Sequence, residues 1–314
     1  MDFGKVSSLE GISFNWPDTS LPNSTFFENL NLPNPKSPVL YVGATGYHMR
    51  QWVGTFYPKG TRPPDYLQAY GLQFNSIEHN TTYYRVPDIH TVGRWIEKTP
   101  EDFKFCPKIP RLVSHSHSLE TNSDLMFNFV EQVLSLEERL GVCFLQLPPH
   151  FGPNKLPALD KFLNRYSRML SLAVEVRHPA FFLPTLESED FFQLLQVHQA
   201  AAVITDVAGR RDVCHMRLTA PFTFIRFVGN DHFTDTRRLE AWVYQLAQWF
   251  ANGLQTVYFF THTPENLHAP ELSSAMVKMA KASIPNLSVR GPVGVKPAIR
   301  QGELFATIGE PFPD

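Results

Sequence analysis

The sequence predicts an α/β fold, a single (β/α)8 TIM-like barrel with an irregular sixth βα unit. Three observations predict it. Eight short apolar runs rich in Val, Ile, Phe and Leu recur through the middle of the chain. Segments of helical spacing separate most of them, so that a strand–helix unit repeats roughly every 30 residues. The length, 314 residues, suits one such barrel with short extensions.

The strand-like runs are Val39–Gly43, Phe74–Glu78, Phe103–Cys106, Val142–Leu147, Leu172–Val176, Ala201–Thr205, Phe222–Val228 and Thr256–Thr261. They are nearly continuous in apolar character, as expected of parallel strands buried on both faces. Pro63 and Pro64 open a helix carrying Tyr66, Leu67 and Tyr70, and Asp88 is the N-cap of a helix with Val92, Trp95 and Ile96. Asp124 begins a long helix through Phe129, Val133, Leu136 and Leu140, closed by Gly141. Pro157–Leu170, Glu187–His198, Leu239–Gly253 and Pro270–Ala282 supply the others. About 16 residues separate Asp206 from Phe222, too few for a full crossover helix, so a loop or single turn is expected there. An open dinucleotide-binding sheet is disfavoured, because Gly43-Ala44-Thr45-Gly46 lacks the third glycine of its fingerprint.

Residues 1–37, dense in Pro, Asn and Ser, read as a surface arm, 38–285 as the barrel, and 286–314 as a C-terminal tail. The net charge of −2 argues against a bulk basic surface, though not against a local basic patch. Cys106, Cys143 and Cys214 are too scattered for a disulfide framework or a zinc site and read as buried thiols. With no signal peptide and no apolar run of membrane-spanning length, a cytoplasmic protein with no membrane partner is expected.

Active sites of this architecture form at the C-terminal ends of the strands. Every run ends in polar residues: Thr45, Tyr47 and His48; Glu78, His79 and Asn80; Lys108 and Arg111; Gln146; Glu175, Arg177 and His178; Asp206; Arg226; Thr261 and His262. Alternation puts Glu78 and Asn80 on one face and His79 on the other, and puts Glu175 and Arg177 together. Three carboxylates (Glu78, Glu175, Asp206) face three cations (Lys108, Arg177, Arg226), a balanced mouth. A divalent-metal site usually gathers excess carboxylate. The preferred reading is therefore a cleft without metal or cofactor that holds an anion. Glu78, Glu175, His262 and Lys108 are the candidate catalytic residues. Arg177, Arg226, Asn80, Gln146, Asp206, Tyr47, Trp52 and Tyr84 are the candidate substrate-binding residues. Trp52, Tyr57, Tyr83 and Tyr84 lie in the first two βα loops as aromatics able to stack on a base or sugar ring.

These residues also lie in motifs that resemble the domain of unknown function 72 (YecE-like) family. The motifs are Tyr41-Val42-Gly43-Ala44-Thr45-Gly46-Tyr47, Trp52-Val53-Gly54-Thr55-Phe56-Tyr57-Pro58, Phe74 through Tyr84, Phe103 through Lys108, Leu145-Gln146-Leu147-Pro148, Val174 through Pro179, Ile225-Arg226-Phe227 and Phe260 through Pro264. They occur in family order over about residues 39–285. The resemblance implies a TIM-like barrel and leaves the activity open. Its distant likeness to metal-using endonuclease and sugar-isomerase barrels implies Glu78, Glu175, Asp206 and His262 as a ligand set; Lys108, Arg177 and Arg226 depart from one. The arm before residue 38 and the short loop after Asp206 are departures as well. Three functions stay open. The first is an enzyme for a phosphate- or carboxylate-bearing molecule or nucleotide unit, a hydrolase or lyase. The second is a divalent-metal phosphoesterase. The third is a non-catalytic nucleic-acid binder using Arg50, Arg62, Arg85, Arg210 and Arg211.

Overall fold

The structure, a computed structural model, describes residues 3–30, 37–119 and 123–292. In chain order it places helix α1 (Ser20–Asn29), β1 (Val39–Gly43), α2 (Tyr66–Gln73), β2 (Ser76–His79), α3 (Ile89–Glu97), β3 (Lys104–Pro107), α4 (Arg111–Ser114) and α5 (Asp124–Leu134). There follow β4 (Cys143–Gln146), α6 (Leu156–Tyr166), β5 (Leu172–Glu175), α7 (Leu186–Val197), β6 (Ala201–Asp206), β7 (Phe222–Val228), α8 (Thr234–Ala251), β8 (Thr256–His262), α9 (Ala269–Ser283) and β9 (Ser288–Arg290). This is an α/β fold in which all the described strand pairings are parallel. The eight predicted runs each hold one strand, shifted by a residue or two where Phe74 and Phe103 precede strands that begin at Ser76 and Lys104.

The strands form a seven-stranded sheet, in the order β4-β5-β6-β7-β8-β1-β9, and a separate β2-β3 pair. The pair touches both ends of the run from β4 to β1. On one side Glu78 N donates to Ala44 O at 3.1 Å. There the Asn75 side chain substitutes for strand backbone, accepting from Val42 N at 2.7 Å and donating to Leu40 O at 3.0 Å. Gly43 permits this approach, because a Cβ there would collide with Ser76 O. On the other side Ile109 N donates to Phe144 O at 2.9 Å and Gly141 N to Phe105 O at 2.7 Å. Strand β9 lies within the predicted C-terminal tail and pairs with the first half of β1, Val39–Tyr41. Residues 31–36 of the predicted arm and 293–314 of the predicted tail lie outside the described residues.

Local chemistry explains the helix limits. Asp88 caps α3, accepting from Thr91 N at 2.7 Å. The helix from Asp124 ends at Leu134 and not at Gly141: Glu137 takes φ 49°, a left-handed conformation that an α-helix cannot continue through. Its cap is Ser123, one residue before the acid expected to begin it. Between β6 and β7 the chain makes a single 3₁₀ turn, Arg211–Val213, in place of a crossover helix. None of the described helices is long and apolar enough to cross a membrane.

Burial separates the outer faces of the strands, packed against helices, from a distinct inner cluster containing Cys106, Val142, Phe144, Ala173, Ala201, Val203, Phe224, Tyr258 and Phe260. Two residues further along the same strand faces stand Lys108, Gln146, Glu175, Arg226 and His262. The polar ends are thus built on an apolar floor, which keeps water from beneath the charges. All three cysteines are buried, and burial pushes the Cys106 thiol up to about 12, so it stays protonated at neutral pH.

Candidate functional site

The charged residues at the strand ends form one chain of hydrogen bonds. Arg226, 1% exposed, lies at its centre. Its Nε and Nη2 donate to the Glu78 carboxylate at 2.9 and 3.1 Å, and its Nη1 to Glu175 at 2.7 Å. Glu175 also accepts from Arg177 Nε at 2.6 Å and Gln146 Nε2 at 2.8 Å. Glu78 also accepts from Asn80 Nδ2 at 3.0 Å, and its Oε2 lies 3.1 Å from His262 Nε2. At the far end Lys108 Nζ donates to Gln146 Oε1 at 2.9 Å. The Gln146 amide therefore has a fixed orientation, oxygen to the lysine and nitrogen to the carboxylate.

Burial alone would raise both carboxyls. For Glu78 the Arg226 guanidinium and His262 outweigh it and hold the group well below the usual range. For Glu175 the guanidinium groups of Arg226 and Arg177 bring it to about 2. Both remain ionised at neutral pH and have no proton to give. Their hydrogen bonds fix the orientation of the guanidinium groups, Glu78 and Glu175 that of Arg226 and Glu175 that of Arg177.

An ionised Glu78 can only accept, so His262 carries its proton on Nε2 and keeps a lone pair on Nδ1. Burial lowers this imidazole, more than Glu78 raises it, which leaves it neutral and basic near pH 7. Lys108 is 7% exposed, and its ammonium lies 4.2 Å from the centre of the Tyr83 ring and 5.4 Å from that of Phe144. No carboxylate among the described residues comes within ion-pair distance of it. Burial, with Arg226 nearby, lowers it to about 8, so a measurable fraction is the free amine at neutral pH.

Above this layer opens a cavity of about 1100 Å³. Its inner wall is Lys108, Arg226, Asn80, His262 and Thr45. Glu78 and Glu175, 0% and 2% exposed, lie beneath it. A ligand therefore meets the cations and not the carboxylates that hold them.

Some predicted residues are elsewhere. Asp206 belongs to the opposite face of β6, since its neighbour Thr205 is the one in register with Arg226. Its carboxylate pairs with Arg211 and with Arg238 of α8 and accepts from Trp242 Nε1 at 2.8 Å. The balanced count of three against three is thus corrected. Within the strand-end layer Lys108, Arg177 and Arg226 stand with Glu78 and Glu175, a local charge of 3 − 2 = +1, while the cavity lining above adds Lys5 against Glu10, Asp231 and Glu265. Trp52 lies in the aromatic core against Phe56, Tyr57 and Tyr70, with Nε1 donating to Leu267 O at 3.0 Å. Tyr47 packs on His48 and His79 behind the strands. Neither lines the cavity. Tyr84 does, at 80% exposure on the rim. The metal set implied by distant barrels is not assembled: Glu78 and His262 are neighbours, Asp206 is in another network, and the described residues contain no group of three metal-ligating side chains.

Two contributors escaped the sequence reading. Phe144, two residues before Gln146 on the same face, forms the floor under Lys108 and Arg226, and alternation was the signal for it. Phe3 to Glu10, with Ile12 and Phe14, line another wall of the cavity, and nothing in their composition announced this.

The chain matches the model of the family described as "Protein of unknown function DUF72" over residues 41–294. It belongs to that family. The UPF0759 protein YecE of Escherichia coli strain K12 is 34% identical over 287 residues, spanning 85% of this chain and all of that protein. The UPF0759 protein YunF of Bacillus subtilis strain 168 is 25% identical over 153 residues, 46% of this chain and 53% of YunF. Two crystal structures of a DUF72 family protein from Enterococcus faecalis V583 superpose with TM-scores of 0.63 and 0.60. They have 19% and 18% identity and cover 77% and 79% of this DUF72 chain and 95% and 98% of theirs. At that identity the likeness concerns the fold alone.

Acid should unfold this DUF72 protein through the buried carboxylates. A carboxyl whose folded value lies below its unfolded one contributes stability that is complete above the unfolded value and is lost as the pH falls toward the folded one. For Glu175 that window runs from its usual 4.5 down to about 2. The loss there should be on the order of 3 kcal/mol, with Glu78 adding to it. Urea midpoints measured at steps from pH 6 to pH 2 should fall through this window, and Glu175→Gln should flatten the fall. A midpoint independent of pH below 4.5 contradicts the pairing.

Proposed function

We propose that this protein is an enzyme that binds a phosphate- or carboxylate-bearing small molecule or nucleotide unit at the strand ends and acts on it by acid/base chemistry without a metal. One observation carries the reading: the cavity wall presents Lys108 and Arg226 while the carboxylates that hold Arg226 lie buried beneath. An anion would meet two cationic groups already held in place, so little order has to be gained on binding. Arg226 cannot give up its proton and serves as the fixed anchor. Lys108, near 8, and neutral His262 are the two groups able to exchange a proton near neutral pH. Asn80 orients Glu78, and Gln146 links Lys108 to Glu175. Hydrolysis or lyase chemistry suits such a pair, with the ammonium protonating a leaving oxygen and the imidazole accepting a proton.

The same reading takes the two sheets as one closed barrel of eight strands with β9 outside it. It is supported by the hydrogen bonds from β2 to the end of β1 and from β3 to β4, and by an inner apolar cluster fed from both sheets. Closure brings Glu78 on β2 and Glu175 on β5 to the two sides of Arg226.

Thermal unfolding in the presence of phosphate- and carboxylate-bearing metabolites tests the function. A true ligand at a hundred times its dissociation constant should stabilise the fold by about 2.7 kcal/mol, a shift of several degrees. Turnover of that ligand should persist in excess chelator. No stabilisation by any such anion at millimolar concentration, or activity abolished by chelator and restored by a divalent ion, overturns the proposal.

A further inference from the structure

The outer wall of the cavity is the chain's own N-terminal segment. Phe3 to Glu10, with Ile12 and Phe14, line it opposite Lys108 and Arg226. This segment precedes residues 41–294, so membership of the family assigns it no role. It is fastened at two places. At the first, Phe3 lies over the Arg177 guanidinium at 4.1 Å and near that of Arg210 at 5.2 Å. Beside it Gly209 N, in the loop after β6, donates to Gly4 O at 3.0 Å.

Two glycines make that contact possible. Gly4 has φ +69°, and a Cβ there would lie 2.7 Å from Val207 Cγ2. A Cβ on Gly209 would lie 2.8 Å from both Gly4 O and Val6 Cγ1. At Gly4 the positive φ and the Val207 methyl groups disfavour a side chain, and at Gly209 a side chain would push the two backbone segments apart.

The second fastening is larger. Phe14 lies over Arg211 and Arg238 at 5.0 and 4.7 Å, and Trp16 packs on Trp242 at 4.8 Å. Asn23 of α1 donates to Met216 O at 2.9 Å and accepts from Leu218 N at 3.0 Å. These arginines are the ones that Asp206 holds. Between the fastenings the described backbone hydrogen bonds of residues 5–13 are local, such as Ile12 N to Leu9 O at 3.1 Å. A span tied at both ends and weakly held between them opens at its weaker tie. That tie is the glycine contact, a single backbone hydrogen bond beside one ring.

We propose that residues 3–14 are a strap latched by the Gly4–Gly209 contact, and that a ligand reaches Lys108 and Arg226 only when the latch opens. The strap also supplies a wall of the site and so restricts ligand size. The proposal depends on the function proposed above for the kind of ligand, but not for the access itself.

The test reads access directly at the lysine. Full-length protein, a Gly209→Val variant and a form lacking residues 1–14 are treated with trinitrobenzenesulfonate, an anionic amine reagent, at pH 8. Modification of Lys108 is followed by peptide mass, with exposed Lys59 as the internal reference. Urea midpoints identify any variant that is not folded. Unlatching should speed Lys108 labelling by about tenfold or more, leaving Lys59 unchanged. Phe3→Ala should give a smaller acceleration and serves if either larger change prevents folding. Equal Lys108 rates in the wild type and the folded variants overturn the strap. Inorganic phosphate, added to the same reaction, separates the two proposals. Faster labelling on unlatching with no protection by phosphate supports the strap and counts against the anion site.

Discussion

Arg226→Met should lower the free energy of unfolding by about 3–5 kcal/mol, the penalty for leaving a buried charge without its partner. Methionine roughly fills the space of the arginine stem but donates nothing. Glu175 would still accept from Arg177 and Gln146. Glu78 would keep only neutral Asn80 and His262, so its charge would lose its guanidinium in a place with no exposure. The molecule has two ways to relieve this: Glu78 binds a proton, or His262 does. Both raise proton binding by the folded state, so the deficit should shrink as the pH falls toward 4. Adding Glu78→Gln to Arg226→Met removes the stranded charge and should recover part of the loss. Urea unfolding of the two singles and the double, at pH 7 and pH 5, gives the coupling energy directly. A loss under 1 kcal/mol for Arg226→Met would mean that the guanidinium is not buried between two carboxylates.

Lys108→Met should do the opposite: leave stability nearly unchanged and remove function. The ammonium lies against two aromatic rings, with a neutral amide as its hydrogen-bond partner. An apolar side chain of similar length suits that setting, so its removal should change the unfolding midpoint little or raise it slightly. Ligand affinity is another matter. Losing a charge-assisted hydrogen bond of about 1.5–3 kcal/mol weakens anion binding by about 10- to 100-fold, and turnover should fall further if the lysine is also the proton donor. The native lysine has its own signature, because its reactivity toward amine reagents should rise with pH through a midpoint near 8 instead of its usual 10.5. A Gln146→Glu change would put a carboxylate beside Nζ and move that midpoint back up. Unaltered anion affinity in Lys108→Met would exclude the lysine from the site.

Much of this layout was legible in the order of residues. A run such as Leu172-Ala173-Val174-Glu175 is apolar until its last residue, and that residue lies at the strand end. Alternation placed Glu78 with Asn80 and Glu175 with Arg177, and the structure pairs each couple directly. The same rule, applied to Asp206, needed to know which residue of β6 points inward. Nothing in Ala201–Asp206 decides that, because all six residues are buried and both faces look alike. Trp52 and Tyr84 posed the same difficulty in loops: both are aromatics near a strand end, yet one is buried in the core and the other is on the rim.

Local sequence, then, determined which segments are strands and helices and which chemical groups stand at their ends, because hydrophobic period and side-chain alternation act over a few residues. Tertiary structure alone decided that Arg226 holds Glu78 and Glu175 together, that Asp206 serves α8, and that the N-terminal segment lines the cavity. Those contacts join positions far apart in the chain, and Glu78 and Arg226 are 148 residues apart. Their geometry follows from strand register and the approach of one element to another, which no short window of residues contains.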